Sequence, residues 1–479
     1  MERMEEKLTT MTGRYETDIS MLEKQLRLEA SFDLLGRKIQ IGGRRATLYF
    51  VDGFVKDEVM EKILEYLMKL TPEDMEKRQN TEEFSRHFIT YVEVSPAADI
   101  PAVITGILSG TLALIIEGFG QAVMIDARTY PARGVEEPED DKVLRGAHDG
   151  FVETLIFNTA LIRRRIRDPQ LTMEYLQIGT TSKTDLVLCY MDERVNHKQL
   201  RELRDKLKGI RIPSLTMGQE SLSECLLRRQ WYNPFPKVRY TERPDCASAS
   251  VAEGKILLIV DNTPAVMILP TTIFDFIQDT NDFYFPPLVG TYLRFVRGIV
   301  FFLTLFLTPI WYLLMQNPEM IPPWLEFVRI KEPNMVPIII QLFVIEIMID
   351  GVKLASLNTP GALNNAFGMV GALLLGEFAI TAGLFVPEVM LYMAFVAVAN
   401  FTQPSYELGY AFKLFRVLIL ILTAIWNVWG YIAGLVLMFV VLISSKTISG
   451  RGYLYPVIPF NAQALSRLLV RRRISNHNT

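Results

Sequence analysis

Histidine is nearly absent: His87, His148, His197 and His477 are the only four in 479 residues, and none falls in an apolar stretch. That excludes an imidazole proton relay or metal centre at membrane depth. Cysteine is as scarce. Cys189, Cys225 and Cys246 stand at wide, irregular spacings, which fit neither a disulfide framework nor a zinc site and suit a reducing compartment. No phosphate-binding glycine loop, zinc-protease helix or nucleophile elbow occurs, so no catalytic residue, metal ligand or cofactor is expected and the chain reads as a non-enzyme. With a formal net charge of -3 and no basic segment interleaved with aromatics, a nucleic-acid groove is excluded as well. The N-terminus has no apolar core and is not a secretory signal, and residues 446–479 hold no acid at all. Before residue 297 there is no long apolar run.

What is present is an uneven distribution. Half the residues are hydrophobic although 22% are charged, and the apolar runs gather in the last third. The fold expected is multi-domain: a two-lobed α/β cytosolic N-terminal domain followed by an all-α polytopic membrane domain. Residues 1–30 are charge-rich and read as a solvated arm or a short surface helix. A first α/β lobe covers 31–133, with strands at 46–51, 89–94, 111–117 and 121–126 and a helix whose apolar positions run from Val55 to Leu70. A second lobe covers 134–290, opened by an acidic link and a helix over 150–167. Strands follow at 171–178 and 184–190, a charged helix at 196–208, and a hairpin at 256–260 and 265–269. No tandem repeat is visible.

The membrane domain is expected over 291–445 and a basic cytosolic tail over 446–479. The stretch 298–315 is the most secure span, preceded by Arg294 and Arg297, with Trp311, Tyr312 and Trp324 as interfacial aromatics. Pro309 within it should kink the helix without ending it. Residues 335–349 fall short of a ~30 Å hydrocarbon core and read as a tilted, short or re-entrant helix. Residues 366–386 span, 388–401 are short, and 417–443 cross once with tilt. Both ends belong to the cytosol by the positive-inside bias, so an even number of crossings is required: about four, plus the short or re-entrant helix. Lys353, Lys413 and Arg416 conflict with some of these assignments.

Charged groups at depth are the candidate functional residues, because an isolated charge at the bilayer centre costs about 2.5 kcal/mol or more. Glu346 and Asp350 lie four apart on one helical face, and Glu377 lies inside the third stretch. They bond a neighbouring helix, or they flank a conduction path. Asn364, Asn365, Gly368, Gly371, Ala372 and Gly376 place small and polar residues on a common side, which serves close packing and equally an axis between subunits. Arg163, Arg164 and Arg165 read as a solvated helix face, with a structural or subunit-contact role preferred over lipid or phosphate binding. The tail run Arg471–Arg473 is a topology signal, with anionic lipid as the partner it would attract.

The passages FVETLIFNTALIRRRIRD (151–168), LQIGTTSKTDLVLCYM (176–191), YTERPDCASASVAEGKILLIVDNTP (240–264) and MVGALLLGEFAITAGL (369–384) resemble, in order, the signatures of the A-subunit branch of the GerA family of spore germination proteins. VDGFVKDE (51–58) and DARTYPARG (126–134) narrow the resemblance to one sub-branch. The resemblance implies a multi-pass protein of the spore inner membrane with its N-terminal domain and tail in the cytosol. It implies assembly as a homo-oligomer, a pentamer in the family's own pattern, around a channel for monovalent cations. It also implies a second membrane protein and other germination proteins as partners. The family's pore helix corresponds to 361–376, which makes Gly361, Asn364, Asn365, Phe367, Gly368, Gly371, Ala372, Leu375 and Glu377 the pore-lining or pore-flanking candidates. Phe367 stands where relatives carry a small aliphatic residue and would narrow the path. The alternative is a non-conducting scaffold that organises germination proteins in the membrane. A secondary transporter would need inverted repeats that the sequence does not display.

Overall fold

Alternating apolar residues flanked by glycine turns build the first half of the chain into paired hairpins. The computed structural model describes residues 10–77, 80–130, 146–227, 232–279, 281–331, 335–358, 380, 382–447 and 452–470. Two compact units emerge: Met1–Arg229 with Val238–Pro270, and Gln230–Lys237 with Thr271–Thr479. The α/β unit therefore ends at Pro270, short of residue 290, and residues 230–237 belong to the helical unit.

In the first unit, β1 (Leu34–Ile41), β2 (Arg44–Val51), β3 (Val94–Ala97), β4 (Leu112–Ile116) and β5 (Ala122–Ile125) form an antiparallel sheet in the order β1-β2-β4-β5-β3. Gly42 and Gly43 make the β1–β2 turn with φ of 51° and 81°, values that a residue with a Cβ adopts at a cost. The expected strand at 89–94 is displaced. Residues Thr81–Phe88 are helical, capped by the Asn80 side chain on the Glu82 amide, and the strand starts only at Val94. Pro96 is accommodated there because β3 is an edge.

The second lobe has β6 (Leu171–Ile178), β7 (Thr184–Met191), β8 (Arg239–Thr241), β9 (Ile256–Val260) and β10 (Val266–Leu269), in the order β6-β7-β9-β10-β8. Counted from the first strand of each lobe, the two orders are the same, so the α/β unit is a duplicated topology that the sequence conceals. Each copy opens with a helix, α1 (Tyr15–Leu26) and α2 (Leu155–Arg165). In each, the fourth residue is polar, buried and bonded back to the preceding loop: Asp18 accepts from the amides of Thr12 and Gly13, and Asn158 accepts from the Val152 amide. The arm expected over residues 1–30 is corrected by α1, whose Ile19, Leu22 and Leu26 are part of the first lobe's core. Glu16 and Lys24 face out while one stripe faces in.

The second unit is helical. α3 (Pro287–Gln316) runs through Pro309 unbroken, α4 covers Ile338–Asn358, α5 covers Pro387–Phe401, and α6 covers Tyr406–Ser444. By length and composition α3 and α6 are long and apolar enough to cross a membrane. Two expectations change here. The short or re-entrant helix at 335–349 is a helix from Ile338 to Asn358, about 31 Å long, which runs on through Asp350 and Lys353, the charges at which the apolar run stops. The single crossing at 417–443 is a helical hairpin. Asn427, at φ 51° and ψ -129°, interrupts α6, and a Cβ on Gly430 would lie 1.8 Å from the Leu422 carbonyl oxygen, while one on Gly434 would lie 2.9 Å from the Ile419 side chain. In a straight helix residues 419 and 434 would be ~22 Å apart, so the chain reverses at Asn427 and its two arms, 406–426 and 428–444, pack antiparallel. Gly430 and Gly434 are the small-xxx-small pair that lets the backbones approach.

Candidate functional site

Helix α4 carries Glu346 and Asp350 on one face by their spacing of four, and the first arm of α6 carries Lys413 and Arg416 on one face by their spacing of three. The two helices bring these faces together. The Arg416 guanidinium bonds the Glu346 carboxylate, Lys413 lies 3.1 Å from Glu346 and also pairs with Asp350. The second guanidinium nitrogen of Arg416 donates at 2.8 Å to the Thr304 carbonyl of α3. Glu346, Lys413 and Arg416 are buried. Two acids therefore meet two bases, so the pairs are neutral as a group and three helices are tied together. Removing charge from water is expensive, and only pairing with good hydrogen bonds offsets it. The ambiguity over Lys413 and Arg416 disappears: they are not loop residues marking a membrane face but the partners of Glu346 and Asp350. Lys353 lies 5.6 Å over the Tyr410 ring on the same pair of helices.

Around this cluster the packing is apolar and aromatic. Phe301 of α3 meets Phe412 edge-on at 4.4 Å, and Phe235, from the 230–237 segment that belongs to this unit, stacks on Phe415 at 5.3 Å. Tyr453 closes this layer: its hydroxyl donates to the Pro236 carbonyl at 2.7 Å, and burial raises its ionisation well above the ordinary phenol range. Trp311 and Tyr312, expected at an interface, are buried instead; the indole N–H of Trp311 finds the Val328 carbonyl at 3.0 Å. Gln341, also buried, accepts from the Val386 amide at the start of α5.

The arginine triplet divides. Arg163 is fully buried rather than solvated, and it binds Asp33 through two nitrogens at 2.7 and 3.0 Å, the Ser31 hydroxyl at 3.0 Å and the Leu171 carbonyl at 3.0 Å. Its partners lie inside this chain and join the two lobes, so the solvated face is corrected for this residue and, of the structural and subunit-contact alternatives, its contacts are structural ones. Arg164 lies 4.4 Å over the Tyr130 ring, and Arg165 pairs with Asp149. Arg27 makes the reverse link, from the first lobe to Gln170 and Asp192 of the second. Among the cysteines, burial pushes the Cys189 thiol up to about 12, which removes it as a nucleophile. Among the described residues no group of His, Cys, Asp and Glu is arranged to hold a metal ion.

The pore candidates Gly361, Asn364, Asn365, Phe367, Gly368, Gly371, Ala372, Leu375 and Glu377 lie outside the described residues, as do Gly376 and Arg471–Arg473. Sequence reasoning missed Asn427, Gly430 and Gly434, although the Gly-x-x-x-Gly spacing was there to be read, and it registered Lys413 and Arg416 only as obstacles to topology.

Two α/β lobes of one topology, followed in the chain by a helical unit with buried charge pairs and two helices long and apolar enough to cross a membrane, define a two-unit protein with an α/β N-terminal domain. The family model described as Bacillus/Clostridium GerA spore germination protein matches residues 20–479, and the chain belongs to that family. It is 37% identical over 441 residues to stage V sporulation protein AF of Bacillus subtilis (strain 168), covering 92% of this chain and 89% of that one. It is 27% identical to spore germination protein KA of the same organism, over 94% of this chain and 84% of the other. A solved structure, the N-terminal domain of the A subunit of the Bacillus megaterium spore germinant receptor GerK3, is similar at 26% identity and a TM-score of 0.42, covering 54% of this chain and 95% of that chain.

Proposed function

We propose that this chain is a multi-pass membrane subunit of a spore germination complex, assembled with copies of itself and with a second membrane protein. In this reading the oligomer, a pentamer by family resemblance, encloses a path for monovalent cations and promotes their release during germination. The spore inner membrane is its site, and its role is conduction rather than catalysis. The observation that carries the reading is the set of ion pairs linking Glu346 and Asp350 to Lys413 and Arg416. Charged side chains inside apolar helices are retained at a cost, most often beside a pathway or a moving element, and α4 leads in sequence into the candidate stretch 361–376. The reversal at Asn427 also supports the topology. With 366–386 counted from the sequence, six stretches now return both ends to one side without any re-entrant helix.

Purified protein in potassium-loaded liposomes should leak cations. Asn364→Ala and Glu377→Ala should change the efflux rate while the protein stays in the membrane. An intact membrane-embedded oligomer that leaks nothing would overturn conduction in favour of the scaffold, and parental efflux in both variants would move the path away from 361–376.

A further inference from the structure

The hairpin of α6 ends in an unusual way. Its turn is Ile425-Trp426-Asn427-Val428-Trp429, and the two tryptophans that flank Asn427 are 59% and 77% exposed. Asn427 is not free to wander, because its side-chain amide and that of Asn317, which follows α3, bond each other reciprocally, one of the two bonds at 2.9 Å. The end of α3 and the turn of α6 therefore lie at one level. The loop that leaves Asn317 exposes Trp324 at 74%, with Met320 and Phe327 beside it in sequence and also exposed. Three of the chain's five tryptophans, Trp324, Trp426 and Trp429, are exposed at this end.

Large exposed indoles flanking a polar asparagine pair suit neither water nor hydrocarbon. They suit the headgroup layer, where the ring body meets acyl chains and the N–H meets water. The arms agree with this in length. At 1.5 Å per residue the first is about 31 Å long and the second about 25 Å, each matched to a ~30 Å core, whereas a single 39-residue helix would be ~58 Å. The flanks below the turn are apolar and exposed at Ile421, Ile432, Val436 and Val440, which continues a lipid-facing surface down from the aromatic tip.

We infer that the Trp426–Trp429 turn is a lipid anchor seated in the headgroup layer, on the face of the membrane opposite to the one where α3 begins at Pro287 and α6 ends at Ser444. Arg416 is eleven residues below the turn, about 16 Å, so its pair with Glu346 lies near the midplane of the bilayer. The inference rests on the membrane reading proposed above.

The test is sidedness. Cys225 and Cys246, the two cysteines that are not buried, are replaced by serine, and Val428→Cys or Lys446→Cys is added. The full chain is placed in sealed proteoliposomes and exposed to a membrane-impermeant maleimide. Position 428 should label from one side and position 446 from the other. Labelling of both from the same side, or of 428 only after detergent, overturns the anchor. In a second measurement, lipids brominated near the headgroup should quench the parent's tryptophan emission, and Trp426→Phe with Trp429→Phe should lose a large part of that quenching. Unchanged quenching means that protein, not lipid, covers the turn, and likewise overturns the inference. A chain that fails to float with the vesicles undoes the membrane reading itself, whereas a floating chain with the wrong sidedness undoes only the anchor.

Discussion

Truncating Arg163 would leave the Asp33 carboxylate and the Ser31 hydroxyl buried without the guanidinium that satisfies them. An uncompensated buried charge costs ~3–5 kcal/mol, so Arg163→Ala should lower the thermal midpoint of the α/β unit by many degrees. Arg164→Ala, whose side chain is exposed over Tyr130, should lower it far less, and differential scanning calorimetry separates the two. The same reasoning applies to Glu346 and Arg416, with one difference. Glu346→Leu strands Arg416 and should destabilise by ~3–5 kcal/mol, while the double change Glu346→Leu with Arg416→Leu removes both charges and should recover most of that loss. A double-mutant cycle on thermal unfolding in detergent measures the coupling. If the double variant is as unstable as the sum of the singles, the two residues do not act as a pair.

At the level of elements, legibility tracked how local the determining signal was. The hairpins β4–β5 and β9–β10, and the strands β6 and β7, were visible because runs of β-branched and apolar residues are broken by turn residues a few positions apart. Helix α1 was read as an arm or a short surface helix, and its place in the core was hidden because Glu16, Glu23 and Lys24 surround a narrow inward stripe. The partition of the arginine triplet depended on where the first lobe presents Asp33, 130 positions away in sequence, and no local pattern encodes that. The α6 hairpin is the clearest case. Hydropathy is high on both sides of Asn427, so an apolar count merges two arms into one span, and only Asn427 and the Gly430-x-x-x-Gly434 spacing break the monotony. Gly430 is consequently the residue on which the element depends. Gly430→Ala puts a methyl group into the Leu422 backbone, which cannot move aside as a side chain would. Overpacking of this kind costs at least ~1–3 kcal/mol, and the variant should show a lower unfolding temperature in detergent. Gly298→Ala, with open space at the same position of a built Cβ, should be neutral.

The whole molecule is discontinuous: Gln230–Lys237 belongs with the helices although α/β segments of the first unit precede and follow it. Within the helical unit, Phe235 fills a buried place between Phe412, Phe415 and Tyr453, and the Pro236 carbonyl takes the Tyr453 hydroxyl. A cut at Pro270 consequently treats the two products differently. The fragment 10–270 keeps both sheets and their cores but carries Phe235 with none of its aromatic neighbours, and an exposed ring of that kind promotes association. Replacing 230–237 in that fragment by a glycine-serine linker of equal length should leave its circular dichroism and unfolding midpoint unchanged and raise its monomeric fraction on size exclusion. The complementary fragment 271–479 loses a buried phenylalanine, a change worth ~3–5 kcal/mol when made by truncation to alanine, together with the acceptor for a buried phenol. It should be recovered from membranes in low yield, and co-expression of the 10–270 fragment with its native 230–237 segment should restore it. Equal yields of 271–479 with the native segment and with the linker would show that the segment is a passive loop, and the division of the chain into these two units would then have no energetic meaning.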